Sequence, residues 1–184
     1  KRLKYNKNME EKNAPVELVA PNIDRDAPLG VQWLEGEVGR NTMILMGNPP
    51  DKIEQTTLNK ERERVKGFIE SENQKTWMIR FEGRIVGAVW LDLDTTEWLP
   101  GAPSIHIMIG DQNCRGKGVG TKAITAVIQN LKEEGRYDTL FSRHMTSNAN
   151  ASNLLTSLGF NKLGEPYLDN DQLEWQNVSL KLGT

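Results

Sequence analysis

The sequence predicts one α/β domain, a mixed sheet with helices on both faces. Three observations lead there. The chain has 184 residues, within the ~100–200 that commonly make one domain. Short apolar strands alternate with amphipathic helices. Between Ser104 and Glu134 a strand runs through a glycine-rich turn into a helix. A domain of this size buries roughly 70% of its unfolded surface, so it needs no disulfide or metal staple. Its single cysteine, Cys114, excludes an internal disulfide and any multi-cysteine metal site, and suits a reducing compartment. A formal charge of −2 argues against the basic footprint of a nucleic-acid binder. No stretch approaches the ~20 apolar residues of a membrane span. Lys1-Arg2-Leu3-Lys4-Tyr5 is followed by polar residues, not by a signal-peptide core. The expected setting is cytoplasmic, as a monomer or homodimer, without nucleic acid, membrane or metal.

The elements follow in order. Residues 1–14 are polar and aperiodic and read as a flexible lead-in; the domain is expected over 15–184. Val16 to Val19 alternates and ends at Pro21, a short strand. Asp24 to Gly36 reads as a helix, with Asp24 as cap and Trp33-Leu34 buried. Asn41 to Pro50 stays undecided. Asn48-Pro49-Pro50-Asp51 is expected to start a second helix running to about Ser71, since proline suits a first turn. Its apolar positions are Ile53, Leu58, Val65, Phe68 and Ile69.

Lys75–Phe81 and Arg84–Asp92 read as a hairpin joined by Glu82-Gly83, and Asp94–Pro103 as a loop. Ser104–Ile109 is a central strand, and Gly110–Cys114 a tight polar connection. The helix Gly118–Glu134 repeats Val119, Ala123, Val127 and Leu131 every four residues and stops at Gly135. Thr139–Met145 is a strand, Ala149–Leu158 a short helix ended by Gly159, and Phe160–Leu163 and Leu173–Leu182 the last strands.

Chemistry concentrates in Arg115-Gly116-Lys117-Gly118-Val119-Gly120-Thr121. The first turn of a helix offers unpaired N–H groups and a positive dipole end, a ready anion site. Glycines let the backbone approach phosphate oxygens closely, and Arg115 and Lys117 can add charge-assisted hydrogen bonds. A Walker loop fails, because Gly110 to Gly116 encloses five residues and Lys117 is followed by Gly118. A dinucleotide fingerprint fails on spacing. An Arg/Gln-x-x-Gly-x-Gly/Ala turn fits without a gap. A plain tight turn with no ligand is the competing reading.

The turn resembles the coenzyme A pyrophosphate loop of the GNAT superfamily of N-acetyltransferases. Asn148 to Phe160, with Leu158-Gly159-Phe160 at its end, is similar to that family's Asn-x-x-Ala/Ser helix ending in Gly-Phe. With Trp33-Leu34 and Ile107-Met108-Ile109-Gly110, the chain looks closest to the ribosomal-protein and spermidine acetyltransferases. The resemblance covers about residues 15 to 184. It implies a mostly antiparallel sheet, splayed between two central strands, and acetyl-CoA as cosubstrate. Ile107, Met108 and Ile109 would then pair with the pantetheine arm. Arg115, Gly116, Lys117, Gly118, Val119, Gly120 and Thr121 would cradle the pyrophosphate. Asn148 and Asn153 would face the thioester end. The implied reaction is direct attack of a primary amine, on a small molecule or a protein N-terminus, upon acetyl-CoA.

The chain departs from the family where chemistry is decided. Leu155 stands where a tyrosine often serves as thiolate acid, and Ser104 where many members carry a carboxylate. A CoA-binding regulatory module without catalysis is therefore the alternative. His106 is the candidate base, since a neutral imidazole can accept a proton at physiological pH; a structural histidine on a half-buried strand is the competing reading. Strand alternation sets His106, Met108 and Gly110 on one face and three isoleucines on the other. His144 is a weaker catalytic candidate. Asp94, Glu97 and Trp98, with Asp92 nearby, are candidates to receive a cationic acceptor. Cys114 reads as a spectator.

Overall fold

The computed structural model describes residues 15–95 and 101–183. Strand β1 is Val16–Val19, followed by α1 (Ile23–Leu34), α2 (Gly36–Leu45) and α3 (Leu58–Glu70). Then come β2 (Gln74–Phe81), β3 (Arg84–Asp92), β4 (Ser104–Ile109) and α4 (Val119–Glu134). The chain closes with β5 (Thr139–Met145), α5 (Ala149–Ser157), β6 (Asn161–Lys162), β7 (Tyr167–Leu168) and β8 (Glu174–Lys181). The sheet order is β1-β2-β3-β4-β5-β8-β6, with β7 beside β8. Every pairing is antiparallel except β4 with β5. No helix among the described residues is long and apolar enough to cross a membrane.

The helices cover both faces, as the sequence predicts. On one face α4 buries Val119, Ala123, Ile124, Val127 and Leu131 against Ile79, Val89, Ile105 and Leu140. Each large aliphatic chain withdrawn this fully contributes roughly 1.5–3 kcal/mol. On the other face Trp33 of α1 packs with Met78, Ala88 and Met108. The two periods agree: the isoleucines of β4 meet α4, and Met108 between them meets α1. The hairpin turns at Glu82 and Gly83, both at positive φ (51° and 75°), a geometry that matches the twist of its strands.

Two helix starts are corrected. The cap of α1 is Asn22, not Asp24: its side chain accepts from the Arg25 N–H at 2.9 Å. The helix expected from Asn48 begins only at Leu58, where Thr57 caps it through the Lys60 N–H. Pro49 precedes another proline and is held extended (ψ 135°), because a following proline disfavours helical geometry. Between Asn48 and Leu58 the chain makes a 3₁₀ turn at Pro50–Lys52 instead. Ile53 is therefore not helical, and Leu58 and Ile69 are exposed. The undecided stretch after Asn41 completes α2, which Glu35 separates from α1 by an extended residue (ψ 156°).

Candidate active site

The sheet splits between β4 and β5. Their one register pair is Ser104 with Phe141, reinforced by the Phe141 N–H to the Pro103 carbonyl at 2.9 Å and Ser142 Oγ to the Ile105 carbonyl at 2.8 Å. Beyond it no strand among the described residues pairs with β4 on that side. Antiparallel strands alternate which residues bond to a given neighbour, and this alternation fixes what the open edge presents. Gly110 N–H bonds to Val86 of the β3 side at 2.9 Å, so the even residues of β4 face β3. Ile105, Ile107 and Ile109 turn their backbone groups toward the split. Of these, the Ile105 carbonyl is taken by Ser142 and the Ile109 carbonyl by Arg115 Nε at 2.8 Å. Ile107 and Ile109, rather than Met108, thus offer edge groups.

The strand runs into the glycine turn. Gly116 and Gly118 have φ of 72° and 78°, the left-handed region that a Cβ strains. Gly118 occupies the N-cap of α4 with no side chain over the helix end, so the first-turn N–H groups of Val119, Gly120 and Thr121 meet solvent or ligand. The Val119 side chain is buried, and Thr121 is exposed on the same turn. Arg115 is folded back: besides Ile109, its Nη2 donates to Thr42 Oγ1 of α2 at 3.1 Å. Across the split, Asn148 caps α5 through the Ala151 N–H at 3.1 Å, and its Nδ2 reaches the Leu45 carbonyl at the end of α2 at 3.4 Å. Asn153 is exposed on α5.

His106 lies on the face of α1. Its ring stacks on Trp90, centroids 5.5 Å apart, and its Nε2 lies 3.0 Å from Asp92 Oδ2. That nitrogen is buried yet makes no hydrogen bond, so the carboxylate approaches obliquely. Thr76 Oγ1 and Ser104 Oγ are likewise buried without partners. The registers Thr76–Trp90–His106 and Asp92–Ser104 place these groups together on one sheet face. Buried polar groups without partners are uncommon, and this cluster marks the polar ground beside the split. His144 is elsewhere: buried, on the face opposite, with Nδ1 2.9 Å from the Met145 carbonyl. Asp94 is exposed, and Glu97 and Trp98 lie outside the described residues.

Cys114 is buried below the turn, its Sγ 3.6 Å from Asp111 Oδ2. Burial, and then the Asp111 charge, pushes its thiol up. Among the described residues no cluster of ligating side chains could hold a metal. A cleft lined by Lys75, Trp77, Leu91 and Tyr137 opens at the far end of α4, away from the split.

Sequence reasoning gave no place to Thr42, which holds Arg115, and noted Asp92 only as a neighbouring acid. Nothing in sequence announced Thr42.

The acetyltransferase (GNAT) domain model matches residues 16–161. No curated protein sequence matches the chain. Solved structures share its fold at low identity. The microcin C7 self-immunity acetyltransferase, solved with acetyl-CoA and AMP, is 17% identical with a TM-score of 0.71, over 92% of this chain and 94% of that one. An acetyltransferase from Salmonella typhimurium that modifies the N-terminal serine of a ribosomal protein is 16% identical, TM-score 0.69, over 92% and 96%. The spermidine N-acetyltransferase from Vibrio cholerae, with CoA and spermine, is 14% identical, TM-score 0.70, over 91% and 95%.

Proposed function

Because the chain belongs to the acetyltransferase (GNAT) domain family, we propose that it moves an acetyl group from acetyl-CoA to a primary amine of a small molecule or a protein N-terminus by direct attack. The observation that carries this reading is the join of an open strand edge to a bare helix N-terminus. The edge groups of Ile107 and Ile109 suit an amide-bearing arm, and the α4 first turn suits a diphosphate. Lys117 and Thr121 flank that turn, and Arg115 reaches it once it leaves Thr42. Asn148 and Asn153 border the split on the β5 side.

In the step itself the ammonium of the acceptor first gives a proton to His106, and the free amine attacks the thioester carbon. The C–N bond forms as the carbonyl oxygen takes negative charge, which open N–H groups of β4 stabilise. Collapse breaks the C–S bond, and the second amine proton ends on the CoA thiolate through solvent. A general base of this kind contributes about 10²–10⁴-fold.

The test is calorimetry with acetyl-CoA, followed by thiol release over an amine panel. Binding with turnover supports the reading; no binding by folded protein sinks it. Leu155 favours one rival. It is buried in the core at 5% exposure, so no hydroxyl stands there to protonate a thiolate, and a CoA-binding regulatory module would bind without releasing thiol.

A further inference from the structure

His106 and Arg143 stand at matched positions on the two sides of the split. Ser104 and Phe141 are paired, and each strand then advances two residues, so both side chains lie on the sheet face turned to α1. Arg143 is half-buried. Its guanidinium lies over the Trp175 ring at 4.1 Å, and Nη1 donates to Tyr167 Oη at 3.3 Å. It forms no ion pair among the described residues. Asp169 is close enough for its charge to be felt, but that carboxylate is spent elsewhere. Its Oδ1 accepts from the N–H groups of Asp171 and Leu173, each at 2.9 Å, and its Oδ2 from the Trp175 indole at 2.8 Å. The same indole rests against Gly47, just beyond α2. Arg143 is therefore aimed and stiffened by neutral neighbours, with Asp169 near enough to attract it but not bonded to it.

A guanidinium held on a ring face without an ion pair keeps N–H donors to offer, and its planar fork is suited to carboxylate or phosphate. The opposite wall carries the complementary chemistry, His106 beside Asp92. We propose that Arg143 binds an anionic group on the acceptor, a carboxylate or a phosphate, while the amine lies toward His106 and Asp92. The preferred acceptor is then a zwitterion spanning the split, rather than a polycation. This inference rests on the acetyl-transfer reading of the same site.

The experiment compares matched amines with and without the anion: phenylalanine against phenethylamine, and phosphoethanolamine against ethanolamine, with spermine as the polycation. The anionic member of at least one pair should have kcat/KM higher by about tenfold or more, the scale of a charged hydrogen bond. The two pairs tell carboxylate from phosphate. Arg143→Gln should bring that ratio close to one by raising KM for the anion-bearing amine far more than for its partner without the anion, with acetyl-CoA affinity retained. Arg143→Lys should restore part of it. A panel in which the amines without the anion or spermine are the better substrates overturns the inference, as does one with no turnover. In that last case retained acetyl-CoA binding leaves the cosubstrate site standing. Equal losses for all amines in Arg143→Gln overturn it too, and if that variant does not fold, the wild-type panel alone decides.

Discussion

The indole of Trp33 fills the space that a Cβ on Gly110 would need: its Cδ2 would lie 2.1 Å from that atom. Helix α1 is thereby pressed onto the end of β4, where the strand gives way to the glycine turn. Gly110→Ala must displace either the ring or the strand end, an overpacking that costs about 1–3 kcal/mol. Thermal denaturation should show a lower Tm, and an unchanged Tm would mean that Trp33 has room to move.

For His106 the expected effect is kinetic. Replacement by alanine should lower kcat at least ~100-fold with the best acceptor, with acetyl-CoA affinity retained by calorimetry. A rate near wild type would leave the ring as a packing partner of Trp90.

Asp169 gives a pH signature. Burial raises its pKa, but the Leu173 N–H, the Trp175 indole, the Asp171 N–H and the Arg143 charge together outweigh it, leaving the carboxyl below its ordinary value. A carboxyl lowered on folding stabilises fully above its unfolded pKa, about 3.9, and loses that contribution as pH falls through the lower folded value. Asp169→Asn should therefore be less stable than wild type at neutral pH, with the difference shrinking below about pH 4. Urea unfolding at a series of pH values measures this; a constant difference would contradict it.

Cys114 should resist alkylation. Its thiol is buried and raised by burial and by Asp111, and the thiolate is the reacting form. Iodoacetamide at neutral pH should label it slowly in the folded protein and rapidly in denaturant, as mass spectrometry would read. Fast labelling of the native protein would show that the turn above it opens.

Where a segment's pattern was local, the sequence was readable. The four-residue repeat from Val119 to Leu131 and the alternation of β4 depend only on which side meets the core, and both elements appear as expected. The glycine turn was legible because positive φ narrows the residue choice. Helix starts were harder: Pro50 suits a first turn, but Pro49 before it cannot be helical, and the two rules conflict within two residues. The proposed acceptor side was hardest. Arg143, Trp175 and Asp169 come from three separate segments, and only strand register across the split sets Arg143 opposite His106.

Helix α2 has a mooring on each bank of the opening. Thr42 is held by Arg115, which follows β4, and Leu45 by Asn148, which follows β5. A molecule that wedges the two strands further apart must release one of these ropes or drag the helix with it. Occupancy of the gap is thus tied to the anchoring of α2, and a probe on that helix would sense a guest that never touches it.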